Sequence, residues 1–208
     1  MGLYFTFMSN VKLGKRAAHR EDVEHRIVEA LRSLIDGGML WRDVTIAEIT
    51  NEAQITRTVF YIYFKDKSSV LLRLGAEVKE ALHEITHDWD TSTMGPDVIR
   101  RDLQRYTEVQ RKHADLTRAL RDATHLTPEV QKFWKAIARD FIAPTTRRIL
   151  KERAEGRAPA GPDAQMLAYC LILMSEKVAF EALHYRGPDF DAVLDTAHQI
   201  WLKMIYGI

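Results

Sequence analysis

A chain of 208 residues with 46% hydrophobic and 28% charged residues carries enough apolar material for a buried core and an ordinary water-facing surface. Its net charge of +1 excludes binding of nucleic acid by bulk charge, so any polyanion contact has to be built locally. The single cysteine, Cys170, excludes an intramolecular disulfide and suits a reducing cytoplasm.

Cys170 stands in the apolar run Leu167 to Met174, which predicts a buried core thiol. Met1 to Met8 is apolar but short, with no basic region and no small-residue cleavage site, so it does not read as a signal peptide. No apolar stretch approaches the roughly 18 residues of a membrane span. A cytoplasmic location is the expectation.

In chain order, Lys12, Lys15, Arg16 and Arg20 come first, with no acid among them. This segment, 1–20, reads as a flexible arm, either a solvated tail or an arm that contacts phosphate or the minor groove. Val23, Ile27, Ala30, Leu31 and Leu34 then form a helical stripe that Gly37-Gly38 closes. Thr45-Ile46-Ala47-Glu48 has the T-x-x-E form of a capping box, with Ile46, Ile49 and Ala53 on one face behind it. After a turn at Gln54-Ile55, Thr56 offers a second N-cap. Arg57, Thr58, Tyr61 and Tyr63 face out from a two-turn helix, and Val59, Phe60 and Phe64 anchor it inward. Two short helices joined by a tight turn, the second polar and aromatic outside, fit a DNA major groove.

Val70, Leu71, Leu74, Val78, Ala81, Leu82 and Ile85 predict one long helix after Lys67. Gly95-Pro96 precedes a helix holding Ile99, Leu103, Tyr106 and Val109, and a short helix follows around Leu116 to Ala123. Thr127 and Pro128 read as cap and first residue of another, with Phe133, Trp134, Ile137 and Phe141 and a kink expected at Pro144. The stretch 154–162, AEGRAPAGP, is the clearest loop. A long apolar helix from Ala164 to Tyr185 and a last helix ending at Tyr206 complete the chain, separated by Gly187-Pro188. With no strand-like alternation, the fold is expected to be all-α, with about nine helices.

The run from Ala53 through Ile55, Thr56, Val59, Phe60, Tyr61, Tyr63, Phe64 and Lys67 to Leu71 resembles the signature of the TetR family of transcriptional regulators. Leu171 to Phe180, LILMSEKVAF, and the ending from Ile200 to Gly207 are similar to the EthR-like branch of that family. The family usually has Gly where this chain has Gln54, at a turn position that tends to need positive φ. The resemblance implies a helix-turn-helix DNA-binding domain over 21–67 and a ligand-binding and dimerisation domain over 68–208. It also implies that Arg57 reads a base edge, with Thr58 and Tyr61 beside it, while Thr45, Thr56, Tyr63 and Lys67 hold phosphates. A homodimer formed through the two C-terminal helices and bound to a palindromic operator would follow, with repression released by a small hydrophobic effector. Leu167, Leu171, Met174, Val178, Val193, Leu194, Ala197, Trp201 and Ile205 are the expected dimer residues, with membership of the chain's own core as the alternative.

Ile172, Ser175, Glu176 and Phe180 share one helix face. With Tyr106, Gln110, Trp134, Phe141 and Trp201 they are expected to line an apolar cavity with a few polar groups, the composition of a ligand site. The aromatics' other reading is ordinary core.

His83-Glu84-Ile85-Thr86-His87 matches H-E-x-x-H and supplies the rival, a zinc hydrolase with Glu84 as general base. Asp88 directly after it, Asp90 and Thr93 in place of the extended motif's Gly and His, and no third ligand beyond Glu108 count against that rival. No metal, cofactor or catalytic residue is therefore expected. A helical adaptor that binds only protein is a third reading, opposed by the outward Arg57, Thr58 and Tyr61.

Overall fold

A computed structural model describes residues 20–87, 95–185 and 189–208. Lys12 to Arg16, Met1 to Met8, the segment 88–94 and Gly187-Pro188 fall outside the described residues. The described residues form nine helices and no strand. These are α1 (20–36), α2 (Ile46–Glu52), α3 (Arg57–Tyr63), α4 (Lys67–His87), α5 (Pro96–Lys112), α6 (Ala114–Thr124), α7 (Pro128–Ala154), α8 (Ala164–His184) and α9 (Phe190–Tyr206). Packing divides the chain into two units, Met1–Leu74 and Gly75–Ile208, and the chain passes from one to the other inside α4.

In the first unit α1 buries Val23, Ile27, Leu31 and Ile35, and α4 buries Val70, Leu71 and Leu74. Gly38, at φ 88°, ends α1 in a Schellman closure: Met39 N–H donates to the Leu34 carbonyl at 3.0 Å and Gly38 N–H to that of Ile35 at 2.9 Å. Lys67 ties the following loop down. Its Nζ donates to the Trp41 and Val44 carbonyls at 3.0 and 2.6 Å and lies 4.4 Å from the centre of the Trp41 ring.

In the second unit α7 packs along α8, α9 packs on both α5 and α8, and α6 lies on α7. A core of Ile99, Leu103, Ile149, Leu167, Leu171, Trp201 and Ile205 joins α5, α7, α8 and α9. Pro144 sits inside α7, and the helix runs on through it. Thr127 occupies the N-cap position of α7 but makes no side-chain capping bond there, unlike the expectation. Asp163 and Asp189 do cap α8 and α9, accepting from Met166 N–H at 2.9 Å and from the Asp191 and Ala192 amides at 3.0 and 2.9 Å.

Two expectations about burial change. Leu167, Leu171, Ala197, Trp201 and Ile205 are buried within the single chain, so they belong to its own core. Met174, Val178, Val193 and Leu194 remain half-buried. Cys170 is exposed, not buried: an apolar run on a helix still turns through 100° per residue, and Cys170 falls on the outer side. With Met166 and Tyr169 it forms an outward apolar stripe on α8, and Ile200 and Met204 do the same on α9.

Candidate functional site

The helix-turn-helix is assembled from local bonds. Thr45 Oγ1 accepts from the Glu48 amide at 3.3 Å, and Glu48 accepts from the Thr45 amide at 2.9 Å, closing the capping box; the Thr45 hydroxyl also bonds the same carboxylate. Ile55 N–H donates to the Thr50 carbonyl at 3.0 Å and Gln54 N–H to that of Asn51 at 3.1 Å, the two bonds of a Schellman closure. That closure needs a left-handed residue, and Gln54 supplies it at φ 53°. From α1, the Arg26 guanidinium donates to the Ala53 and Gln54 carbonyls at 2.6 and 3.2 Å, which fixes the turn. Thr56 Oγ1 then accepts from the Val59 amide at 3.2 Å and starts α3.

Around α3, Phe60 is fully buried and Phe64 nearly so, whereas Arg57, Thr58 and Tyr61 are exposed. Thr45 and Thr56 are exposed as well. Tyr63 is half-buried, and the Arg20 guanidinium lies 5.9 Å from its ring centre. Lys67, expected at a phosphate, has two of its three donor positions held by the Trp41 and Val44 carbonyls. Burial also pushes its pKa down, against the opposing pull of Asp43 and Glu48.

In the second unit a cavity of about 70 Å³ is lined by Tyr106, Gln110, Trp134, Phe141, Ile172, Ser175, Glu176 and Trp201, together with Leu82 and Ile85 of α4. Phe180, the remaining expected member, does not line it. Its ring instead lies 4.2 Å from the Arg121 guanidinium, which also sits 5.6 Å from the Trp134 ring and pairs with Glu176. Trp201 Nε1 donates to Ser175 Oγ at 2.9 Å, and Gln110 donates to the Tyr106 hydroxyl at 2.7 Å. Burial drives the Tyr106 phenol up to about 12, so it stays neutral at physiological pH.

Sequence reasoning missed the second ion pair of the wall. Arg148 meets Asp102 at 3.4 Å, both buried, and both line the cavity. Behind them Glu152, with a fully buried side chain, accepts two bonds from Arg157 at 3.0 and 2.6 Å. Those bonds hold its carboxyl below the usual carboxylate range. Asp102 and Arg148 stand 46 residues apart, and no local pattern signals such a pair.

The family model described as "Transcriptional regulator EthR, C-terminal domain" matches residues 99–207, just over half of the chain. The "HTH-type transcriptional regulator EthR" of Mycobacterium tuberculosis is 31% identical over 205 residues, covering 93% of both chains. This chain belongs to the EthR-like branch of the TetR family of transcriptional regulators. The same-named protein of Mycolicibacterium smegmatis is 30% identical over 200 residues, covering 93% of this chain and 92% of its own. Among solved structures, a TetR-family regulator from Pectobacterium atrosepticum superposes with a TM-score of 0.63 at 21% identity, covering 91% of this chain and 95% of its own. The TetR-family regulator PfmR of Thermus thermophilus does so at 0.67 and 11%, covering 86% and 97%. At such identities the structures speak for the fold alone.

The family makes the chain a DNA-binding transcriptional regulator and not an enzyme, and the zinc-hydrolase reading is not supported. His83 and Glu84 are exposed on α4. No helix of the described residues is long and apolar enough to cross a membrane.

Proposed function

We propose that this regulator acts in the cytoplasm as a homodimeric repressor of a palindromic operator, released by a small neutral, largely apolar effector. The observation that carries the reading is α3: a short helix with a buried Phe60 and an exposed Arg57, Thr58 and Tyr61, held on a bonded turn. Arg57 is the base reader, able to bond a guanine bidentately for about 1–3 kcal/mol of discrimination. Thr45, Thr56 and Tyr63 hold phosphates, and Lys67 positions the loop before α2. The second copy docks on the outward stripes of α8 and α9, Met166, Tyr169 and Cys170 with Ile200 and Met204. Met174, Val178 and Val193 form the edge of that surface, where a groove opens between the two helices.

Both carboxylates of the cavity wall have an arginine partner, Asp102 with Arg148 and Glu176 with Arg121. A charged ligand would be desolvated there without a counter-ion, which favours an uncharged one. The cavity is smaller than the roughly 300 Å³ at the low end of ligand sites, so side chains have to move aside for the effector. Leu82 and Ile85 of α4 line it, while Val70, Leu71 and Leu74 of the same helix are buried in the first unit. Effector binding is thereby coupled to the DNA-reading unit through α4, and a coupling of about 1–3 kcal/mol is enough for release.

Arg57→Ala tests the reading. It is expected to abolish specific binding to the selected operator while leaving unfolding and dimerisation unchanged. Unchanged affinity and selectivity would remove α3 from its role. A fatty ester should raise the unfolding temperature and weaken operator binding, whereas a carboxylate of equal chain length should do neither.

A further inference from the structure

Ile62 is an isoleucine that the core does not need. On the seven-residue α3, at 100° per residue, Val59 and Phe60 point inward and Arg57, Tyr61, Thr58 and Ile62 occupy one continuous outer arc. Ile62 lies one turn after Thr58 and beside Tyr61. Its side chain is 64% exposed, the most exposed of the large apolar residues described in the first unit. A β-branched residue is also a middling helix former, so local helix stability does not account for it.

We infer that Ile62 reads a thymine methyl group in the major groove. The inference rests on the proposal that α3 enters that groove. Unlike Arg57 or the threonines, Ile62 has no hydrogen-bonding group, so it cannot hold a phosphate or pair with a base edge. The C5-methyl of thymine is the apolar handle that the major groove offers, and an aliphatic side chain on the groove-facing arc matches it. The operator half-site therefore contains a thymine at a fixed offset from the base that Arg57 reads, toward the C-terminal end of α3.

The probe is the duplex enriched from a random library on the full chain, with symmetry-related thymines replaced by uracil, one position at a time. Uracil keeps every hydrogen-bonding group and loses only the methyl. One position is expected to weaken binding about fourfold per half-site, the factor that goes with one buried methyl-sized group. With Ile62→Ala, binding persists and the thymine-uracil difference at that position disappears; with Ile62→Val it is retained. The inference is overturned if no thymine is sensitive, or if the sensitivity persists in Ile62→Ala. Failure of the library to enrich any duplex is a different result, which removes the DNA-binding proposal itself and this inference with it.

Discussion

Replacing Ser175 by alanine tests the cavity wall at its most constrained point. Ser175 and Trp201 are both buried, and the indole N–H donates to Ser175 Oγ at 2.9 Å. Ser175→Ala removes the acceptor and leaves that N–H among apolar groups. A buried donor without a partner costs about 1–3 kcal/mol. The adjoining cavity of about 70 Å³ has room for a water molecule, which would hold the loss near the lower end of that range. For a chain of this size the expected fall in unfolding temperature is about 2–4 °C per kcal/mol. Trp201→Phe removes the donor instead, and the double variant leaves no orphaned group. In a double-mutant cycle by urea unfolding, the two changes should therefore cost less together than the sum of the singles, with a coupling of at least about 0.5 kcal/mol. A neutral Ser175→Ala with additive effects would mean that the bond contributes nothing to the fold.

Gln54→Gly relieves the left-handed backbone at φ 53°, and the gain of about 1–2 kcal/mol exceeds the added chain entropy of glycine; chemical unfolding should show a net stabilisation of about 0.5–1 kcal/mol. Tyr106 keeps its proton in the folded state up to about 12, above its unfolded value of 10.0, so its contribution is intact below pH 10 and is lost as pH rises toward 12. Tyr106→Phe should flatten that alkaline loss of stability, by at most about 2–3 kcal/mol at the top of the window, and an equally steep loss in the variant would contradict the assignment. Tyr169→Glu places a charge on the outward stripe of α8 and should convert the dimer to a folded monomer in sedimentation analysis; a dimer of unchanged stability would place the interface elsewhere.

Much of the first unit was legible in the sequence because its devices are local. The capping box at Thr45 and Glu48 and the inward Phe60 lie within one or two turns of the residues that signal them, and the positive φ at Gln54 followed from the resemblance to the family. The cavity was legible as a set of polar and aromatic residues at helical spacing, and all but Phe180 line it. Phe180 fails because spacing on α8 fixes a face but not what Arg121, on another helix, places against it. Lys67 was assigned to phosphate by position in a motif, whereas the nearby carbonyls of Trp41 and Val44 claim its ammonium. Hydrophobicity alone left Leu167 and Trp201 open to a dimer interface or to the chain's own core, and it is the core that takes them. The pairs Asp102–Arg148 and Glu152–Arg157 depend on tertiary placement or loop geometry and left no periodic trace.

Whether a dimer of this chain reads a symmetric operator through α3 is decided by selecting a random duplex library on the purified chain, at a stated and near-physiological salt concentration. A two-fold symmetric site is expected to be enriched, its half-sites containing a guanine that Arg57 requires. Enrichment of no sequence, or of an asymmetric site indifferent to Arg57→Ala, would contradict it.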